Sequence, residues 1–232
     1  MQSFVEVQLY MRILQSIQHS GRKAVIGLIW LWFTAYILWL APLDQPETFP
    51  IVQKLITLQG TKVNAYLFAI FWLMGVWPMI YAGLMVIDCR VQKLPGLLYF
   101  VAANATGIVG LAPYLILRDR NEAADATADG WLQLFESQGM GIVLSFIAIS
   151  LIGYGLLLGD WQDFIEQWRT IPFVHLITLD FCLMTLLFPL SSLLDDDLAR
   201  RGLKHSPVFW VIVLLPLLGP LAYLCFRPPL AR

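Results

Sequence analysis

Apolar residues in this chain fall into long runs separated by short charged stretches, and six of those runs suit the about 20 residues that a helix needs to cross about 30 Å of hydrocarbon. They lie at 24–41, 65–87, 95–117, 140–158, 171–194 and 207–226. Backbone polar groups cannot go unpaired in lipid, so each run is expected to be a helix. Barrel strands are about 10 residues of alternating polarity, whereas these runs are longer and apolar on all sides. The pattern therefore predicts an all-α fold: a polytopic transmembrane helical bundle of about six spans, forming one domain over 22–232.

Between the runs the periodicity changes to that of amphipathic helices. In 1–21, Phe4, Val7, Tyr10, Met11, Leu14 and Ile17 recur at helical spacing with Gln8, Arg12 and Gln15 between them. That segment lacks the basic start and small-residue cleavage site of a signal peptide, so it is expected to stay in the mature protein as an interfacial helix. In 160–169, Trp161, Phe164, Ile165 and Trp168 form one helical face and Asp160, Asp163 and Glu166 another. Trp131, Leu134 and Phe135 suggest a further surface helix.

Basic residues punctuate the runs: Arg22 and Lys23 before the first, Arg90 and Lys93 after the second, Arg118 and Arg120 after the third, Arg227 after the sixth. Trp30, Trp39, Tyr99, Tyr114 and Trp210 sit toward run ends, where amphipathic rings favour the headgroup level. With six spans the basic residues divide eight against seven between the two faces, which leaves orientation to the cluster near the first run and weakly favours cytoplasmic or stromal termini.

Composition narrows the function classes. The chain is 59% hydrophobic and 13% charged, against about 25% charged residues in ordinary soluble domains. The net charge of −1 supplies no basic field for nucleic acid. Cys89, Cys182 and Cys225 have no metal-ligand or haem-attachment spacing and read as packing residues. There is no HExxH, phosphate-binding loop or intramembrane lysine.

A few polar residues inside the runs could carry chemistry. Asp180 sits near the centre of the fifth run, where a carboxylate is costly, so it is either an ion, proton or ligand site or a hydrogen-bonded packing element, with Asn104 or a tyrosine hydroxyl as candidate partner. Asn104 lies in a small-residue stretch in which Ala103 and Gly107 predict close helix contact. His175, five residues before Asp180 and on a different helix face, could ligate a chlorophyll magnesium. Trp161 and Trp168 are candidate interface residues.

Pro78, Pro189, Pro216 and Pro220 should bend or break helices. The run from Asp195 to Arg201 partly resembles the first half of the signature of CDP-alcohol phosphatidyltransferases, but Asp196 replaces its glycine and no aspartates follow to complete a metal site. It reads instead as a helix end with Asp196–Arg200 and Asp197–Arg201 pairs one turn apart.

From the fifth run onward, Asp180, the acidic-basic stretch 195–202, Trp210 and a proline-rich final run ending in Tyr223 and Arg227 resemble uncharacterised polytopic membrane proteins of cyanobacteria and chloroplasts. The resemblance covers about the last quarter of the chain. It implies a thylakoid or cyanobacterial plasma membrane, photosynthetic membrane-protein partners, and chlorophyll or carotenoid as cofactors. The expected function is an accessory subunit or assembly factor of a larger membrane complex. The alternatives are a small ion or solute transporter centred on Asp180 and a lipid- or pigment-handling enzyme.

Overall fold

A computed structural model describes residues 2–41, 45–92, 94–121, 130–204 and 206–230, with side chains described from residue 18 onward, Trp131 excepted. The described residues fold as helices α1 (Gln2–Trp39), α2 (Thr48–Ile56), α3 (Ala65–Gln92), α4 (Gly96–Thr106), α5 (Ile108–Leu117), α6 (Gly130–Glu136), α7 (Gln138–Leu158), α8 (Trp161–Thr170), α9 (Pro172–Leu190), α10 (Leu193–Arg200), α11 (Val208–Leu214) and α12 (Leu218–Phe226). Four helical segments are long and apolar enough to cross a membrane: Gln18–Trp39, Ala65–Gln92, Gln138–Leu158 and Pro172–Leu190.

The two remaining apolar runs fold differently from the spans expected for them. Residues 95–117 form α4 and α5, of 11 and 10 residues. At 1.5 Å per residue each is about 16 Å long, half the apolar layer. Gly107 joins them with φ +58° and ψ −130°, and α5 turns back along α4. A Cβ on Gly110 would overlap the backbone of Ala102, eight residues earlier, whereas in a straight helix that spacing places the residues about 12 Å apart. The return is visible at the base too. The side chain of Gln92, at the end of α3, bonds both backbone groups of Asp119: its amide donates to the Asp119 carbonyl, and Asp119 N donates to Gln92 Oε1 at 3.1 Å.

The run 207–226 repeats this arrangement. Its limbs α11 and α12 meet at Leu215–Leu217, with Leu217 at φ +65°. A Cβ on Gly219 would overlap the Ile212 carbonyl. Arg201 Nη1, before the run, donates to the carbonyl of Pro228, after it, at 2.5 Å. Both stretches are helical hairpins that enter and leave by the same end of the bundle. Gly and Pro make the reversals: Gly107 supplies a conformation that side chains resist, and Pro216 cannot donate a helical hydrogen bond.

The surface helix expected over the first 21 residues and the first expected span are one continuous helix, α1. Its 38 residues measure about 57 Å, well beyond the hydrocarbon thickness. A helix that lay flat and then crossed would need a break near Gly21, and the backbone has none there. α3 is the central element: 61% of its most apolar window is buried, against 11% for α1 and 22% for α7. Its core residues, including Trp77, Tyr81 and Leu84, pack with Tyr114 of α5, Met184 and Phe188 of α9 and Leu221 of α12. Pro78 sits inside α3 without interrupting it.

This path sorts the charges. The carboxyl ends of α3 and α9, the start of the α1 span and the bases of both hairpins share one end of the bundle, called here the charged end. The opposite end carries α2 and α8, whose Leu55 and Phe164 pack with Leu67, Phe173 and Val174. As expected, α8 is a short amphipathic helix. Asp160 caps it, accepting from Gln162 N and Asp163 N at 2.9 and 3.1 Å. In α6, Leu132 and Phe135 are buried while Leu134 is exposed, so the inward face differs by one position from the expected one.

In a chain whose three native cysteines are replaced by alanine, single cysteines at Pro95 and Asp119 should label from the same membrane face as one at Lys204. A cysteine at Lys62 should label from the other face. Labelling of positions 95 and 119 from opposite faces would restore the six-span arrangement.

Candidate functional site: a hairpin tip and a buried charge cluster

Asp180 stands on α9 where the tip of the first hairpin arrives. Its Oδ1 accepts from Ile108 N at 2.9 Å. The first amide groups of a helix have no partner within it, so the carboxylate satisfies one of the amides that the break at Gly107 leaves open. The fit is close, since a Cβ on Gly107 would overlap the Asp180 carboxylate. From the other side Trp30 of α1 donates its indole N–H to the Val109 carbonyl at 3.1 Å. α1 and α9 thus both hold residues 107–109 in the apolar interior.

The other sequence candidates separate around this tip. Asn104 is exposed and donates to Phe100 O, one turn back on its own helix, at 2.8 Å, so it is not the partner of Asp180. Ala103 is buried within the hairpin region, and Gly107 meets Asp180 rather than a neighbouring small residue. The close contact predicted for this pair is used inside the chain. His175 lies toward the opposite end, its ring 4.4 Å from that of Trp168 and 5.6 Å from that of Tyr36. Trp161 is 58% exposed, with its ring edge-on to Tyr66 at 5.5 Å.

The charged end holds a cluster that the sequence reading placed at a surface. Asp88, near the end of α3, accepts from Arg118 Nε at 2.7 Å and Nη2 at 2.8 Å, from Arg200 Nη2 at 2.7 Å and from the Tyr114 hydroxyl at 2.5 Å. Arg118 also reaches Asp196 Oδ2 at 2.5 Å, and Arg120 Nε reaches Asp196 Oδ1 at 3.1 Å. Asp88, Arg118 and Asp196 are fully buried. Burial works against the Arg118 charge, but hydrogen bonds to Asp88 and the charges of Asp88 and Asp196 outweigh it and hold the pKa above the ordinary arginine value.

A second knot joins the other hairpin. Asp197 accepts from Arg201 Nε at 3.0 Å and from the Tyr223 hydroxyl at 2.7 Å. Arg201 and Arg227 share Glu136 at 2.8 and 3.0 Å. Arg227 Nη1 also donates to Gly83 O of α3 at 2.9 Å, and its Nη2 donates to Phe135 O. Burial pulls the Arg227 pKa below its ordinary value, and Asp197 and Glu136 only partly offset that.

The three consecutive aspartates therefore face three different ways: Asp195 to Arg22 of α1 at 2.6 Å, Asp196 to the base of the first hairpin, Asp197 to the base of the second. Of the two pairs expected one turn apart, Asp197–Arg201 forms. Asp196 and Arg200 instead take separate partners on other elements. α10 starts from Ser192 in a left-handed conformation at φ +60°, which turns it off the axis of α9.

No protein family, curated protein or solved structure matches this chain. Asp88 and Glu136 carried no signal in the sequence, Arg118 and Arg227 resembled ordinary basic punctuation at span ends, and Arg200 was expected to pair with Asp196 one turn away. The available signal was the glycine and proline placement within the third and sixth runs, which marks reversals and so brings the flanking charges together.

Proposed function

We propose that this chain is a non-enzymatic accessory subunit or assembly factor of a larger membrane complex. The observation that carries the reading is where the polar side chains spend their hydrogen bonds. Asp180 holds Ile108 N, Asn104 holds Phe100 O, and the buried arginines and carboxylates at the charged end hold one another. This chemistry stabilises the chain's own fold. What it presents outward along α1 and α7 is long apolar surface, including Leu28, Leu31, Trp32, Ile142, Phe146 and Ile149, suited to lipid or to neighbouring membrane helices.

The charges suggest an orientation. Among the residues whose side chains are described, Arg22, Lys23, Arg90, Arg118, Arg120, Arg200, Arg201, Lys204 and Arg227 lie toward the charged end, and Lys54, Lys62 and Arg169 toward the other. Nine against three supports a reading in which the charged end faces the cytoplasm, or the stroma of a photosynthetic membrane, by the positive-inside rule. The near-even division under six spans disappears because the hairpins return Arg118 and Arg120 to the end from which they started and shift every later loop.

Purification from the native membrane in a mild detergent should recover the chain with at least one other integral membrane protein at a fixed ratio. Recovery only as an isolated monomer or homo-oligomer under each gentle condition would overturn the reading. The same preparation tests the photosynthetic setting: chlorophyll or carotenoid absorbance that falls in His175→Leu supports a pigment role for His175, and a colourless preparation removes it.

A second reading, a small ion or solute transporter, is favoured by one observation. Asp180 meets the amino end of a half-length helix in the apolar interior, an arrangement of the kind that transporters use to bind ions. Asp180→Asn with unchanged flux in reconstituted vesicles, against a wild type that carries flux, would exclude Asp180 from transport.

A further inference from the structure

Within its span, α1 is covered on one face only. The inner face, where Ile26 is 1% and Phe33 0% exposed, packs on α5 and α9. The opposite face carries Val25, Leu28, Trp32 and Trp39 at 45%, 67%, 54% and 74% exposure. With Gly21 and Ala35, these positions recur at alternating steps of three and four residues, the a and d rows of a heptad pattern. Counted back toward the amino end at the same steps, the rows fall on Phe4, Val7, Met11, Leu14 and Gln18. Val5, Leu9 and Ile13 lie on other rows, and their stripe ends at Ser16 and Ser20. One seam of period 3.5 therefore follows the whole helix.

That seam passes through two solvents. The span begins at Gln18, and α1 continues without a break back to Gln2, about 24 Å farther in line with the span. This stretch stands off the charged end and leaves the hydrocarbon. In lipid an apolar face needs no cover, but in water the row of Phe4, Val7, Met11 and Leu14 does. A partner that follows the seam from water into lipid must itself be a long helix leaving the same membrane face in the same direction.

A second α1 meets these conditions. Two copies share one topology, so their first helices run parallel and come level residue by residue. The rows flanking the seam between Gln2 and Ile17 are Ser3, Gln8, Tyr10, Gln15 and Ile17, all uncharged, while Glu6 and Arg12 fall on the b and c rows. Identical helices therefore meet there without like-charge repulsion. Gln18 is the single polar side chain in the seam and would face its own copy. One polar residue at an a position fixes register and strand number. Gly21 follows it, and a Cβ added there would meet nothing within 4 Å, which leaves room for close approach. Seam and flanking rows together offer about 20 residues a side, the size of a standard stable interface.

We propose that two copies of this chain pair through α1 as a parallel coiled coil, its seam running from Phe4 outside the bilayer into the membrane-spanning part of the helix. A strict 3.5 repeat winds such a pair left-handed. The pairing does not rest on the accessory-subunit reading.

Cysteine cross-linking in native membranes tests it, using the full chain with its three native cysteines replaced by alanine. Val7→Cys and Leu14→Cys, on the d row, should give covalent dimers of the chain on oxidation, because d-row side chains of two parallel copies meet within disulfide reach. Glu6→Cys and Arg12→Cys should remain monomeric. No dimer at positions 7 and 14, equal yields at all four positions, or linkage of position 14 to a different protein overturns the proposal. If the cysteine-free chain does not fold, co-expression of tagged and untagged wild type decides. The tagged copy should retain the untagged one, and Leu14→Asp in both should abolish that retention. Residue 14 precedes the span, so this variant leaves the contacts within the bundle in place. Failure of wild type to retain its copy, or retention that survives Leu14→Asp, also overturns the proposal.

Discussion

Arg118→Leu should be the most damaging single substitution at the charged end, lowering stability by about 3–5 kcal/mol, as expected when one partner is removed from a buried ion pair. Arg118 is fully buried and its guanidinium serves Asp88 through two nitrogens, Asp196 through one and the Ser191 carbonyl through another at 3.2 Å. Leucine keeps much of the volume and supplies no donor. Asp88 then keeps Arg200 and Tyr114, and Asp196 keeps Arg120, so both carboxylates stay buried with half their compensation gone. The loss falls where α3, the first hairpin and α10 meet, which should release the hairpin base as well as weaken the fold.

Thermal unfolding of the detergent-solubilised protein gives the measurement. Arg22→Gln is the comparison, because its pair with Asp195 is partly exposed and surface pairs are worth about 0–1 kcal/mol. Equal melting temperatures for wild type and Arg118→Leu would show that the buried cluster does not hold these elements together.

The second large effect is expected at the hairpin tip. Gly107→Ala meets two obstacles of different origin. At φ +58° and ψ −130° the backbone lies in a region that essentially only glycine occupies, at a cost of about 1–3 kcal/mol for another residue. The new methyl would also overlap the Asp180 carboxylate. Asp180→Ala alone should cost about 1–3 kcal/mol, since it strands the Ile108 amide in an apolar interior.

Combining the two substitutions removes the overlap while leaving the backbone strain. The double variant should therefore be less destabilised than the sum of the singles, by a coupling of the size seen for residues in contact. Additive effects would mean that Asp180 and Gly107 do not share the tip, and a neutral Gly107→Ala would mean that the chain does not reverse there.

Asp180 shows how far a sequence can take such an argument. Its cost in an apolar run was legible, and so were its two readings. Its partner was not, because Ile108 N is an ordinary backbone amide that becomes available only when the helix breaks one residue earlier. Asn104 looked the better partner on chemical grounds, yet it lies on the outward face of α4 and bonds its own helix.

The same limit applies to spans. Residues 95–117 and 207–226 contain enough apolar residues to cross a bilayer, and hydropathy registers composition without direction. Whether such a run crosses or returns depends on the turn at its middle and on what that turn packs against.

The chain's own order of residues determined that it is helical and lipid-adapted, that α8 is a short amphipathic helix, and that the last turns of its apolar runs are charged. Those are local properties, set by hydrogen-bonding need and side-chain polarity over one or two turns. Only the tertiary structure decided that four helices are long enough to cross, that two runs fold back, and that Asp88 and Asp196 meet arginines 30 to 112 residues away. The physical reason is that a hairpin's direction and an ion pair's partner depend on packing against distant elements, and the buried cluster forms only once both reversals bring their bases to the same end.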